Sequence, residues 1–217
     1  MQAIVIGATG ATGADLLDLL LEDNAFRQVV IFVRRSPGIQ HEKLKVHVID
    51  FDNPGQWGEL VQGDVLFSCL GTTLKTAGSQ EAQWKIDYEY QYSFAKAASE
   101  NGVPACVLVS ADFASPASRN FYSRMKGRLE EAVKALGFAR LTILNPPLLV
   151  RKKSDRSLEV VASKVLQFFN RMGILRSQKP LRTEILAQAM VKAAKSNKGG
   201  LTKIRGKAIW EMAEARQ

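Results

Sequence analysis

A chain of 217 residues, 46% hydrophobic and 24% charged, has the composition of one ordinary globular domain with a full core. Asp18 interrupts the leucines after Gly13, so no apolar run reaches the ~18–20 residues of a membrane span, and Met1-Gln2-Ala3 enters a strand without an export signal's basic region. A cytoplasmic protein without a membrane partner is therefore expected, and its formal charge of +9 is concentrated in residues 151–217, which carry 16 Lys+Arg against 5 Asp+Glu.

The apolar run Ala3–Ile6 predicts a first buried strand, and the leucines at 16, 17, 19, 20 and 21 predict the helix after it. Between them lies Gly7-Ala-Thr-Gly10-Ala-Thr-Gly13, a strand-to-helix turn of the kind that cradles a pyrophosphate. Its glycines let the backbone approach the phosphates, and the unpaired N–H groups of the first helical turn hold their charge. Gly7, Thr9, Gly10, Ala11, Thr12 and Gly13 are the candidate contacts. The spacing is G-x-x-G-x-x-G rather than the G-x-G-x-x-G fingerprint.

Val29–Val33 predicts the second strand, ending at Arg34-Arg35. Dinucleotide folds that select NAD place an acidic residue here to accept from the ribose 2′-OH. Two arginines cannot accept, but they can donate to a 2′-phosphate, which predicts NADP(H) as cofactor. Val46–Ile49, closed by Asp50, and Val65–Leu70, ending in Gly71-Thr72-Thr73, predict strands three and four. Arg34, Asp50, Leu70, Gly71 and Thr72 are then expected together at the carboxyl ends of the sheet, around the cofactor.

A helix is expected from Glu81 to Gly102 and a fifth strand over Cys106–Val109, stopped by Ser110. The helix predicted for 120–136 carries Tyr122 and Lys126 one turn apart, and Leu141–Leu144 predicts a sixth strand ending at Asn145-Pro146-Pro147. This alternation predicts an α/β fold, a doubly wound parallel sheet forming a single domain over 1–217. Residues 151–217, with helices expected at 158–172 and 183–196 and a tail around 208–212, form a small basic lobe on the substrate side. Its charge fits an anionic substrate, an acidic protein partner or well-solvated helices; with no aromatic residues interleaved, it argues against nucleic acid. Cys69 and Cys106 lie in apolar runs as core residues, and neither histidine shares metal-ligand spacing with them.

Gly7 to Gly13, Arg34-Arg35, Cys69-Leu70-Gly71-Thr72-Thr73, Ser110 and Tyr122-Ser-Arg-Met-Lys126 with Glu130 beyond resemble an extended or atypical short-chain dehydrogenase/reductase. Within that superfamily the chain is most similar to the Tat-interacting oxidoreductase group, over residues 1 to about 150. The resemblance implies Ser110, Tyr122 and Lys126 as catalytic residues, with Tyr122 and Lys126 also touching the cofactor, and a carbonyl or alcohol as substrate. Tyr122 would exchange the proton, Lys126 would hold the nicotinamide ribose, and Ser110 would donate to the substrate carbonyl. Bringing a phenol of pKa ~10 near neutrality takes about 4 kcal/mol, which a cation about 4 Å away at an effective dielectric near 20 supplies. Tyr92 and Lys96 repeat the Y-x-x-x-K spacing without a strand-end serine before them and are a decoy. Two departures stand out: Asp87 occupies the place of the superfamily's relay asparagine, and Asn145-Pro146-Pro147 replaces that group's Arg-Pro-Gly.

Overall fold

The computed structural model describes residues 1–150 and 180–215, and the helix expected over 158–172 lies outside the described residues. Seven strands form one parallel sheet in the order β3-β2-β1-β4-β5-β6-β9. They are β1 (Gln2–Ile6), β2 (Gln28–Val33), β3 (Leu44–Val48), β4 (Val65–Ser68), β5 (Ala105–Val109), β6 (Arg140–Asn145) and β9 (Gly200–Arg205), while β7 (Leu149–Val150) and β8 (Leu181–Arg182) pair separately. The strand order reverses between β1 and β4. That switch opens a crevice at the carboxyl ends of the central strands, where doubly wound folds bind their ligands.

Alternate residues of the central strands feed two cores, one on each face. Ala3, Val5, Ile31, Phe67 and Val107 pack under α1 (Ala11–Glu22), and under the helix Thr183–Lys195. Ile4, Phe32, Leu66, Cys106 and Ile143 pack on the other face, under Trp57, Phe94, Leu129 and Val133. Trp57, in the single turn α2 (Pro54–Trp57), stacks on Phe94 with ring centroids 3.9 Å apart. Apolar contact on both faces is why these strands read as unbroken apolar runs.

Several boundaries differ from the sequence expectation. β3 is an edge strand of half-buried and exposed residues, shifted to start at Leu44. β4 stops at Ser68 because its partner β1 ends opposite, at Ile6, and Gly7 turns away; Leu70 therefore belongs to the loop. After the single turn α3 (Leu74–Ala77), the helix expected over 81–102 is built as α4 (Gln80–Trp84), a π-turn over Lys85–Glu89 and α5 (Tyr90–Glu100). The wider i→i+5 turn keeps Gln83, Asp87 and Gln91, four residues apart, all buried against the sheet side.

The helix α6 (Phe121–Lys134) is capped by Asn120, whose side chain accepts from the Ser123 N–H at 3.0 Å. The stretch expected as a basic lobe divides. Its helix α7 (Thr183–Lys195) packs on α1 through Leu186, Ala187 and Met190, β9 extends the main sheet beside β6, and α8 (Lys207–Glu214) packs back through Ile209. Sequence reasoning did not find β9, although Thr202-Lys203-Ile204-Arg205 alternates as a half-buried edge strand does, between Gly200 and Gly206.

Candidate active site

The turn after β1 is shaped by contacts that exclude a side chain. Gly7 sits at φ +81°, and a Cβ there would meet the Cys69 carbonyl carbon at 2.6 Å. One on Gly13 would lie 2.0 Å from the Gly7 carbonyl oxygen. Gly10 donates its N–H to the Gly7 oxygen at 2.9 Å, closing the turn, and caps α1 with no side-chain hydrogen bond. The first-turn amides of a twelve-residue helix thus face the crevice without a side-chain cap, an arrangement suited to a pyrophosphate. Thr9 is exposed, Ala11 half-buried and Thr12 buried, so Thr9 is the threonine hydroxyl on the open side.

Arg34 and Arg35 follow β2 at the same end of the sheet; both are exposed, and neither makes an ion pair among the described residues. Asp50 is engaged locally, accepting from the Asp52 N–H at 3.0 Å and the Asn53 amide at 2.5 Å. In the loop after β4, Leu70 and Thr72 are half-buried and Gly71 is exposed. Asp87 and Gln83 tie this loop down: the Thr72 N–H donates to Asp87 Oδ2 at 2.8 Å, and Gln83 Nε2 donates to the Thr72 oxygen at 3.1 Å.

Tyr122, Lys126 and Glu130 recur every four residues and form one stripe along α6. Lys126 Nζ lies 5.9 Å from the centre of the Tyr122 ring and 3.0 Å from Asp87 Oδ1. Burial lowers the Lys126 pKa, but the charge and hydrogen bond of Asp87 together with the charges of Tyr122 and Glu130 outweigh it and hold the ammonium above its ordinary value. Tyr122 itself is 39% exposed. Its phenol lies above its ordinary value: desolvation raises it, Lys126 pulls it back and Asp87 raises it again. The expected fall toward neutrality is therefore absent in the free protein, because desolvation outweighs the pull of the lysine and the carboxylate beside it adds to the rise.

Ser110 stands at the end of β5, buried, and its hydroxyl donates to Glu130 Oε1 at 2.5 Å. Asn145 Nδ2 donates to the same oxygen at 2.6 Å and to the Ala111 carbonyl at 2.8 Å, while Lys203 Nζ reaches Glu130 Oε2 at 2.9 Å. Sequence reasoning noticed Glu130 and Asn145 only as motif positions and missed Lys203. The four-residue step from Lys126 was the available signal for Glu130; Lys203 depends on the pairing of β9 with β6, which local sequence does not show. The decoy pair sits elsewhere: Tyr92 stacks on Tyr88 and Lys96 makes an exposed ion pair with Glu100. Cys106 is buried, its thiol pushed up to about 12 by desolvation, and among the described residues no group of side chains is arranged to hold a metal.

A strand-order switch, a glycine turn that leaves the start of α1 without a side-chain cap, and a tyrosine–lysine stripe on α6 define a nucleotide-cofactor protein, and the chain belongs to the NAD(P)H-binding family, whose pattern matches residues 7–195. Among curated relatives it is similar to "Protein FMP52, mitochondrial" of Eremothecium gossypii, at 40% identity over 155 residues (70% of this chain, 68% of the relative). It is also similar to "Protein FMP52-1, mitochondrial" of Scheffersomyces stipitis, at 33% over 204 residues (91% and 89%). Among solved structures, the Bordetella bronchiseptica enzyme WbmH in complex with NAD+ aligns with TM-score 0.70 at 17% identity, covering 98% of this chain and 79% of that one. The dTDP-4-dehydrorhamnose reductase of Bacillus anthracis, in complex with NADP, aligns at 0.63 and 17% identity, covering 94% and 74%. These structures share the Rossmann-like fold. The expectation of a cytoplasmic protein does not stand, since relatives at 33–40% identity are named mitochondrial. That expectation rested on the lack of an export-type signal, and an organelle address is a different signal.

Proposed function

We propose that the protein is an NADP(H)-dependent oxidoreductase that interconverts a carbonyl and an alcohol by hydride transfer, in a mitochondrial setting. The observation that carries this reading is the link from Lys126, one turn after Tyr122 on α6, through Asp87 to the loop after β4, which lies at the same carboxyl end of the sheet as the uncapped N-terminus of α1. The bound nicotinamide would supply or accept the hydride. The turn from Gly7 to Gly13 would hold the pyrophosphate, with Arg34 and Arg35 on the 2′-phosphate and Lys126 on the ribose. Tyr122 would exchange the proton at its phenolic oxygen, with Ser110 fixing the substrate oxygen opposite it. The likeness to the Tat-interacting oxidoreductases and the family's NAD(P)H-binding character support the same assignment.

A second reading has its own support. Asp87 compensates Lys126, and Ser110 spends its proton on Glu130, so neither is poised for turnover in the free protein. The chain would then keep its cofactor as a sensor and act through a protein partner on its basic C-terminal part. Purification without added nucleotide, identification of any nucleotide retained, and a screen of aldehydes and ketones by NADPH absorbance separate the two. Oxidation of NADPH by a carbonyl supports the enzyme, retained nucleotide without turnover supports the sensor, and failure to bind either NADPH or NADH removes both.

A further inference from the structure

Gln91 is a fully buried polar side chain to which the chemistry above gives no part. Its amide is engaged at both ends: Oε1 accepts from the Ser68 hydroxyl at 2.8 Å, and Nε2 donates to the Asp87 carbonyl at 2.7 Å. The orientation is fixed, because turning the amide over would set its oxygen against the Asp87 carbonyl oxygen. Ser68 is the last residue of β4, and Asp87 lies inside the π-turn. The Asp87 carboxylate in turn accepts from the Thr72 N–H and faces Lys126, and Thr72 belongs to the loop that leaves β4 after Ser68. The contacts therefore close a ring, from the end of β4 through Gln91 and Asp87 back to the loop, with Lys126 attached to it.

A π-turn is a rare departure from α-helical geometry, and here it is marked by the Tyr90 N–H, which donates to the Lys85 carbonyl. A one-residue slip back to α-helical pairing turns a side chain by about 100° about the helix axis, enough to carry Asp87 off both Thr72 and Lys126. Gln91 opposes that slip, since it grips the Asp87 carbonyl while anchored to the sheet through Ser68. We propose that Gln91 is a positioning residue: tied to the end of β4, it holds the π-turn in register, so that Asp87 stays on Thr72 and Lys126 and its charge stays beside Tyr122. Among the described residues, Lys126 on α6 and Asp87 on the π-turn are the charged groups that act on the Tyr122 phenol. The catalytic bearing of this arrangement rests on the proposed function; the tie between β4 and the π-turn does not.

The test is Gln91→Met, which keeps the length and bulk of the side chain and removes both hydrogen bonds, followed by NMR on the full chain without cofactor. The Thr72 amide proton, bonded to a carboxylate in wild type, should move upfield as that bond is lost. The Tyr122 ring signal, assigned by its absence in Tyr122→Phe, should titrate at lower pH, as in Asp87→Asn, because the carboxylate has moved away. If Gln91 acts through Asp87, adding Gln91→Met to Asp87→Asn should lower the Tyr122 titration no further. A merely structural role would lower the unfolding temperature and leave both signals in place. Should Gln91→Met fail to fold, Ser68→Ala removes only the anchor and should move the Thr72 signal the same way by a smaller shift. A Thr72 signal at its wild-type position in the folded variant, or Tyr122 shifts that add in full in the double variant, overturns the proposal. Absence of NADPH-dependent turnover in wild type, with the two signals moving as stated, overturns the enzyme reading alone.

Discussion

Lys126 and Asp87 face each other at 3.0 Å with both side chains almost fully buried, at 3% and 1% exposure. The lysine that the superfamily resemblance assigns to the cofactor ribose and to lowering the tyrosine pKa is thus already matched by a carboxylate. Asp87 reaches it because the π-turn carries it to the sheet side of its helix, where its other oxygen accepts from Thr72. The pair ties the loop after β4 to the catalytic helix.

Asp87→Asn should alter the pH dependence of alcohol oxidation. In the free protein the Tyr122 phenol lies above its ordinary value of 10, and Asp87 contributes to raising it. Oxidation through Tyr122 needs the phenolate, so the wild-type rate should climb with pH through the neutral range and beyond. Without the Asp87 charge the phenol pKa falls, and the climb should begin at lower pH. A profile unmoved by the substitution would show that Lys126 and Asp87 do not act on the proton that Tyr122 exchanges. The substitution also leaves Lys126 with a neutral partner, and breaking a buried pair costs about 3–5 kcal/mol, so denaturant unfolding at neutral pH should show a loss of that order.

Tyr122→Phe removes the proton donor but little of the cofactor's binding surface. Turnover of any carbonyl substrate should drop by about 10²–10⁴-fold with NADPH affinity nearly unchanged, as for loss of a general acid. Tyr92→Phe keeps the ring that stacks on Tyr88 and should change neither quantity. Steady-state rates and fluorescence titration on the two variants check this, and equal effects would remove Tyr122 from its role.

Cofactor choice should follow the end of β2. Charge-assisted hydrogen bonds are worth roughly 1.5–3 kcal/mol, so one or two to a 2′-phosphate should make NADPH bind tens- to hundreds-fold tighter than NADH. The double substitution Arg34→Ala, Arg35→Ala should bring the two affinities together, chiefly by weakening NADPH. Both arginines are exposed, so folding should be spared. Titration of each cofactor gives the ratio, and an unchanged ratio assigns the 2′-position to other residues.

Gly13→Ala is a local test of the cradle. The added methyl group would sit 2.0 Å from the Gly7 oxygen, so the turn must open. Such overpacking costs about 1–3 kcal/mol, and both cofactors should lose affinity alike, since the damage is at the pyrophosphate and not at the ribose. Thermal unfolding and titration of NADPH and NADH measure the two effects.

The sheet and its crevice were legible because strands β1, β2, β4 and β5 are buried on both faces and run apolar except at an end residue, while β6 keeps Leu141, Ile143 and Leu144 apolar around Thr142. The edge strands β3 and β9 carry polar residues on open positions, so β3 was displaced and β9 was not seen. Ser110, Tyr122 and Lys126 could be named from strand-end position and helical spacing. What they touch could not: Asp87 reaches Lys126 through a π-turn that leaves no mark in the residue pattern, and Lys203 reaches Glu130 from 73 residues away. The charge state of the site depends on those two contacts.

The packing of α7 on α1 has a consequence for synthesis. Chains emerge from the ribosome N-terminal end first, and domains complete only when all their elements are out. The sheet covers one flank of α1, whose Leu16, Leu17 and Leu20 are fully or almost fully buried in the finished protein, but the flank that packs on α7 meets its cover only when residues 183–195 are made. Until then the nascent Rossmann half shows one bare greasy face while the helix that begins at the phosphate turn lacks its outer support. Residues 183–195 thus decide when the turn from Gly7 to Gly13 can hold a nucleotide, and ribosome-bound chains halted before α7 should engage holdase chaperones and fail to retain NADPH.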